Sequence, residues 1–395
     1  MKIIGKVNSF FSAICMILID FINIIDLLGM IGLMGLIGLL GAMGAVGLSG
    51  CESTVVDPAR VQELQGIQDV QGVQGVQGVQ DVQDVQDRQG RQGNQDNQEG
   101  QDIHERIVVG FSQLGDESEW RTSSSNDIKR AAEQAGVQLM FDNAQQQQFN
   151  QIKAIRSFIL KGVDVIAFCP IVEEGWDNIL QEAKAAGIPV IVVDREIKTE
   201  TDGLYSAFIG SDFNREGVKA GGWIASRFAD AEGPVYMAEI SGTINSSPAI
   251  GRYNGVREVL KNNPKFEIVI SISGDFMRSK GKECMELILD EAPEIDVLFA
   301  HNDDMALGAV EILEERGIVP GKDIVIVSVD AQKSGIEALK LGKVNCLVEC
   351  SPYVGDELMD LVFKITGGEF YPKYTYNEVK IYTDTDDFAT LPERP

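Results

Sequence analysis

Histidine is nearly missing from this sequence. The 395 residues contain two, His104 and His301, which excludes a histidine-rich metal centre. Cysteine is scarce too: six in a chain this long cannot form the disulfide framework of small secreted domains. Positive charge is in deficit, with Lys+Arg 34 against Asp+Glu 60 and a net charge of −26. That balance argues against general affinity for DNA, RNA or anionic lipid, all of which need a cationic surface. There is no G-x-S-x-G elbow, no P-loop and no dinucleotide fingerprint. What is present is ordinary for a globular protein, 44% hydrophobic and 24% charged, over a length suited to two domains plus extra segments.

The extra segments lie at the front. Residues 1–50 read as a targeting segment, with Lys2 and Lys6 ahead of an apolar run from Met30 to Gly50. The run ends in Leu48-Ser49-Gly50-Cys51, which resembles a bacterial lipobox. Cys51 is therefore expected to become the lipidated N-terminus and to anchor the protein to a membrane. The competing reading is a spanning helix with a chance cysteine after it, since about 20 apolar residues can cross a bilayer. Residues 51–104 carry a three-residue Val-Gln-Gly/Asp repeat without aromatics. Such a segment cannot bury enough apolar surface to offset its chain entropy, so it reads as a low-complexity disordered tether. A fibrous, self-associating repeat is the alternative. Collagen is not, because Pro is lacking and Gly does not recur at every third position.

From Arg106 short apolar runs alternate with amphipathic stretches. Ile107–Phe111, Val137–Phe141, Val163–Phe168 and Ile188–Asp194 read as strands. Helices are expected over 120–135, over 146–161 and up to Ala186. In the second of these Phe149, Ile152, Ile155 and Ile159 should share one face. The alternation restarts after Asp212. Helices are expected at 213–228, 248–262, 278–291, 303–316, 332–341 and 353–366, and strands at 234–240, 266–272, 296–300, 323–330 and 344–349. Strict β-α alternation with apolar strands predicts an α/β fold of parallel sheets covered on both faces, and the number of units predicts two doubly wound lobes parting near Gly210–Asp212.

In such sheets ligands lie beyond the carboxyl ends of the strands. Ser112, Asp194, Arg195, Gly242, Thr243, Asp275, Asn302, Asp303, Asp304, Asp330 and Glu349 stand there, with Trp120 and Phe276 nearby. Carboxylates and arginines form paired charge-assisted bonds to adjacent hydroxyls, and a flat ring packs on a C–H face, so the set suits a polyhydroxylated ligand. A strand-end Asp is also a common helix cap, and only the recurrence on both lobes favours a site.

Six segments in order resemble a known family: Gly110–Arg121, Asn150–Asp164, Val193–Arg195, Ser273–Glu283, Ala300–Ala309 and Pro320–Ile324. They are similar to bacterial periplasmic sugar-binding proteins of the ribose/galactose type, and within these to the galactofuranose-binding branch that serves ABC importers. The resemblance implies the type I periplasmic-binding-protein fold, with two lobes on a three-crossover hinge that closes on one monosaccharide. It implies lobe I at 105–210 plus 350–378 and lobe II at 211–349 plus 379–395. Carried over by position, the ligand contacts are Glu117, Ser118, Glu119, Trp120, Arg121, Asp194, Arg195, Arg252, Asn302, Asp330 and Glu349. Glu119 and Cys169 depart from the family pattern, which has small residues there. The implied setting is the cell envelope, with ABC permease subunits as partners, a lipid-anchored monomer, and neither cofactor nor metal nor nucleic acid. An alternative role is a sensing subunit that presents the bound sugar to a membrane receptor.

Two other classes fare worse. A sugar-responsive repressor needs a basic helix-turn-helix ahead of residue 105, where the repeat stands instead. A glycosidase needs a proton-donating carboxyl, whereas acids paired with arginine stay ionised and act as acceptors. Among the remaining groups, His301 is expected to be structural and Phe276 to be core or cleft wall. Cys169, Cys284, Cys346 and Cys350 are expected to be buried thiols, because a four-residue spacing suits neither zinc nor CxxC redox chemistry.

Overall fold

A computed structural model describes residues 106–394 apart from Pro293. The targeting segment, Cys51 and the repeat lie outside the described residues. Strands β1 (Val108–Gln113), β2 (Gln138–Asn143), β3 (Val165–Phe168), β4 (Val190–Asp194) and β5 (Ala207–Gly210) come first in the chain. Strands β6 (Val235–Ser241), β7 (Phe266–Ser273), β8 (Val297–Ala300), β9 (Val325–Asp330) and β10 (Cys346–Glu349) follow. Two short late strands, β11 (Tyr374–Tyr376) and β12 (Ile381–Thr383), complete two sheets of order β11-β5-β4-β3-β1-β2 and β12-β10-β9-β8-β6-β7. Every pairing is parallel except β10 with β12.

Helices α1 (Glu119–Gln134), α2 (Gln148–Lys161) and α3 (Asp177–Ala185) connect strands of the first sheet. Helices α4 (Phe213–Arg227), α5 (Ser247–Leu260), α6 (Arg278–Glu291), α7 (Asp303–Glu315) and α8 (Lys333–Lys340) belong to the second, and α9 (Gly355–Gly367) returns to the first. The chain thus changes sheets three times, after β5, after β10 and after β11. This is the two-lobe, doubly wound α/β fold expected from the alternation. Each lobe buries both faces of its sheet: β3, β4, β5, β8 and β10 are buried at every position, as continuous apolar runs in parallel sheets should be.

Periodicity located the long elements and overlooked β5, β11 and β12. The last two have three residues each, and β11 reads Tyr-Thr-Tyr with both tyrosines exposed, so neither length nor burial leaves a signal. One expected face is also corrected. In α2 the buried stripe is Gln151, Ala154, Ile155 and Phe158, while Phe149 is 73% exposed. Phe149 sits in the first turn, off the stripe that the helix buries.

Helices α4 and α5 approach backbone to backbone. A Cβ on Gly217 would lie 2.4 Å from the Arg252 carbonyl oxygen, and one on Gly255 would lie 2.2 Å from that of Asn214. No other residue permits that contact, and the contact sets Arg252 of α5 beside Glu216 of α4.

Candidate functional site

The carboxyl ends of the two sheets face each other across a narrow, partly open cavity, with about 290 Å³ of free space counting what is open to solvent. Its lining draws on both lobes: Glu117, Ser118, Trp120, Arg121, Asp194 and Arg195 from the first, and Phe213, Pro248, Arg252, Phe276, Asn302 and Asp330 from the second, with Cys350 at a crossover.

On the first lobe the loop after β1 leads into α1. Ser118 caps that helix, its Oγ accepting from the Arg121 amide at 3.1 Å. The cap holds Arg121 pointing back into the lobe, where it donates to Glu117 Oε1 (3.2 Å), Gln113 Oε1 (3.3 Å), Cys169 Sγ (3.1 Å) and Asp194 Oδ2 (2.9 Å). Burial opposes the Arg121 charge, and Cys169, Asp194 and Glu117 more than offset it, holding the guanidinium above its ordinary pKa. Burial also pushes the Cys169 thiol up to about 12, so the balancing negative charge rests on the two carboxylates. Arg195 donates to the Ile171 carbonyl at 3.1 Å and stands 3.8 Å from Glu117 Oε1. Its pKa is lowered by burial and by the adjacent Arg121. Trp120 donates its indole N–H to the Cys350 carbonyl at 2.7 Å, and its ring lies 4.6 Å from the Arg121 guanidinium.

On the second lobe Arg252 donates to Glu216 Oε2 at 2.8 Å and to the His301 carbonyl, and approaches Asp330 Oδ1 at 3.8 Å. Burial opposes its charge, and Glu216, Cys350 and Asp330 raise its pKa above the ordinary value. Burial raises both partner carboxyls, Glu216 and Asp330, above their ordinary values. Asn302 caps α7, accepting from the Met305 amide at 3.0 Å, and donates to the Phe276 carbonyl at 3.1 Å. The Phe276 ring fits where Gly242 has no side chain, since a Cβ there would fall 1.9 Å from Cζ. Arg195 and Arg252 stand over that ring at 5.1 and 5.9 Å.

Two strand ends at the cavity, Asp194 (φ 65°) and Asp330 (φ 114°), and Phe276 in the loop after β7 (φ 64°) take left-handed backbone. Non-glycine residues adopt it at a cost and concentrate it at functional sites. Buried polar atoms without a partner among the described residues include Glu117 Oε2, Arg195 Nε and Glu216 Oε1. Unmet groups of this kind favour a ligand rich in hydroxyls.

Of the residues singled out in the sequence, Glu117, Ser118, Trp120, Arg121, Asp194, Arg195, Arg252, Asn302 and Asp330 surround the cavity. Two do not. Glu119 points across to the other lobe, its carboxylate on the Ser334 hydroxyl and its amide on Asp304 Oδ2 at 2.6 Å. Glu349 faces the C-terminal segment, bonded to Arg394 and to Tyr382 Oη at 3.0 Å. The strand-end rule missed Phe213, Pro248 and Cys350. Side chains alternate along a strand, so taking Glu349 instead of its neighbour selects the opposite face. Phe276 is both core and cavity wall. His301 is fully buried on Glu239 at 3.1 Å, and burial lowers its pKa. The four described cysteines are free and buried. Among the described residues no group of three His, Cys, Asp or Glu side chains could hold a metal ion, and no helix is long and apolar enough to cross a membrane.

Two parallel lobes with paired charges between their strand ends define a solute-binding architecture. The sequence pattern of the periplasmic binding protein domain matches residues 109–369, and the chain belongs to that family. It is 39% identical over 280 residues to the galactofuranose-binding protein YtfQ of Escherichia coli (strain K12), covering 70% of this chain and 87% of that one. A crystal structure from Mycobacterium smegmatis in complex with β-D-fucofuranose is 50% identical with TM-score 0.70, covering 70% of this chain and 91% of that one. The binding component of the arabinose ABC transporter from Shewanella sp. ANA-3, bound to L-arabinofuranose, is 44% identical with TM-score 0.68, covering 70% and 92%.

Proposed function

We propose that this protein is the sugar-capturing component of an ABC importer in the cell envelope. It binds one neutral monosaccharide in the furanose form and performs no chemistry on it. Residues 105–210 plus 350–378 act as one jaw and 211–349 plus 379–395 as the other. Cys51 carries a lipid anchor and 51–104 is the tether that lets the jaws reach a permease. The observation that carries this reading is the convergence of groups on the cavity: three arginines and the carboxyls of Glu117, Asp194 and Asp330 reach it from both lobes, as the few convergent polar groups of a ligand site do. Opposite charges nearly balance there, which suits an uncharged ligand whose adjacent hydroxyls each donate to a carboxylate and accept from a guanidinium. Trp120, Phe213 and Phe276 supply flat faces for its C–H surface. The likeness to furanose binders favours a five-membered ring.

Thermal melting with D-galactose, D-fucose and L-arabinose in mutarotated solution tests this. A sugar at about 100 times its Kd adds about 2.7 kcal/mol of stability, and the ring form follows from the structure of that complex. A melting point unmoved by every one of these sugars would refute the reading. For the anchor, a Cys51→Ser chain is expected to leave the membrane fraction, and its retention there would favour a spanning helix.

A further inference from the structure

The sugar cavity has a neighbour. A second, wider cavity, with about 1070 Å³ of free space counting what is open to solvent, lies between the loops after β1 and β2 on one lobe and the start of α6 on the other. Glu117 is the one residue that lines both. Its side chain is 1% exposed, and its two oxygens differ. Oε1 takes Arg121 and stands near Arg195. Oε2 has no partner among the described residues and lies on the Gly115 side, 3.0 Å from where a Cβ of Gly115 would be. Gly115 belongs to the outer cavity. A buried carboxylate oxygen left unpaired is costly, and a donor arriving at the junction would meet it.

The outer walls show what kind of donor fits. Gln145 and Gln146 line it from consecutive left-handed positions (φ 53° and 59°), the first exposed and the second half-buried. Ser279 stands opposite, exposed on α6. Asp116 and Glu117 bring negative charge, while the guanidinium of Arg278 is held by Glu311 at 2.6–2.8 Å. Side-chain amides, a hydroxyl and acidic groups suit a neutral polyol and repel a phosphate.

We infer that the outer cavity is a second subsite, taking an uncharged sugar or alditol joined to the furanose, with Glu117 Oε2 bonding a hydroxyl at the junction. The physiological ligand class then includes furanosyl disaccharides as well as free monosaccharide. This deepens the reading above and rests on it.

Titration calorimetry on the folded chain with D-galactose, a galactofuranosyl-galactofuranose disaccharide and galactofuranosyl phosphate tests it. The disaccharide is expected to bind at least as tightly as galactose, and the phosphate about tenfold or more weaker than the disaccharide. Ser279→Trp fills the outer cavity and should weaken the disaccharide about tenfold, a loss of one to two hydrogen bonds, with galactose unchanged. Gln145→Asn tolerates the left-handed backbone and should weaken only the disaccharide, about threefold. Galactose binding without disaccharide binding, or equal loss of both sugars in the variants, overturns the second subsite and leaves the sugar reading standing. Binding of no sugar at all overturns both.

Discussion

The two lobes grip the same cavity in different ways. On the first, Arg121 has four partners from its own lobe within 3.3 Å, two of them carboxylates. On the second, Arg252 has one tight carboxylate, Glu216, and stands 3.8 Å from the other, Asp330, which is outside hydrogen-bond range. Asp330 also has left-handed backbone and a carboxyl raised well above its ordinary pKa by burial. Arg121 is therefore held in full by its own lobe and contributes to stability, while Glu117 Oε2 and Arg195 Nε beside it remain without partners among the described residues. The second lobe leaves the Asp330 carboxyl without a hydrogen bond from Arg252.

That difference is testable as a crossed pair of effects. Arg121→Ala leaves Glu117 and Asp194 buried without their cation, so it should cost about 3–5 kcal/mol of folding stability, read as a melting point lower by roughly 10 °C or more. Asp330→Asn removes a carboxyl that folding already disfavours as an anion. Its melting point should hold or rise, while sugar affinity falls by about 2–3 kcal/mol, measured by calorimetry. If both substitutions changed stability alike, the distinction between a tightly paired Arg121 and a loosely paired Asp330 would be wrong.

Much of this was legible in the sequence, for identifiable reasons. Continuous apolar strands separated by amphipathic helices can only make covered parallel sheets, and strand ends in those sheets fall at the cleft. Asp194, Arg195, Asn302 and Asp330 were found that way. Arg252 sits mid-helix and is brought to the cavity by the glycine-to-backbone packing of α4 on α5, a tertiary contact with no local signature. It entered through the family resemblance alone. Glu119 and Glu349 show the limit of reading by position. Each lies one residue from a true lining residue, Trp120 and Cys350, and one residue turns a side chain by about 100° on a helix or to the opposite face of a strand. Whether an acid near a strand end faces ligand, cap or partner lobe depends on that turn.

The second lobe's buried acids should also make it the more pH-sensitive half. Asp303 accepts from Ser328 Oγ at 2.6 Å and from the Gln332 amide at 2.7 Å. Burial pushes its carboxyl up to about 7, assisted by the charges of Asp304 and Glu119 and opposed by those two bonds. A carboxyl whose folded pKa exceeds the unfolded value binds its proton more tightly when folded. Its contribution to stability is present at low pH and is lost as pH rises through the folded value, here between about pH 4 and pH 7 or slightly above. From pH 6 to pH 8 that loss is on the order of 1 kcal/mol. Asp303→Asn keeps a donor for Ser328 and an acceptor for the Gln332 amide, so its melting point should fall less than the parent's over this range. Parallel curves for the two proteins would show that Asp303 is ionised throughout.

The smallest effect concerns the contact that joins the lobes. Glu119 of α1 reaches α7 and α8, donating its amide to Asp304 Oδ2 at 2.6 Å and accepting from the Ser334 hydroxyl. It touches no residue of the sugar cavity's far wall and has no place in the cavity lining. Its bonds exist only while the lobes meet, so it acts on closure and not on the ligand. The arrangement is also internally opposed: burial raises the Asp304 carboxyl, and the Glu119 charge raises it further while the Glu119 amide lowers it. Glu119→Ala keeps the amide and loses the hydroxyl bond, which should weaken sugar binding by about 0.5–1.5 kcal/mol and shift X-ray scattering of the sugar-free chain toward the open form. Glu119→Gln keeps an acceptor for Ser334 while removing the like charge, so it should bind sugar at least as well as the parent. A uniform loss in both variants, with unchanged scattering, would return Glu119 to the ligand and remove the asymmetry between a side chain that holds sugar and one that holds the lobes together.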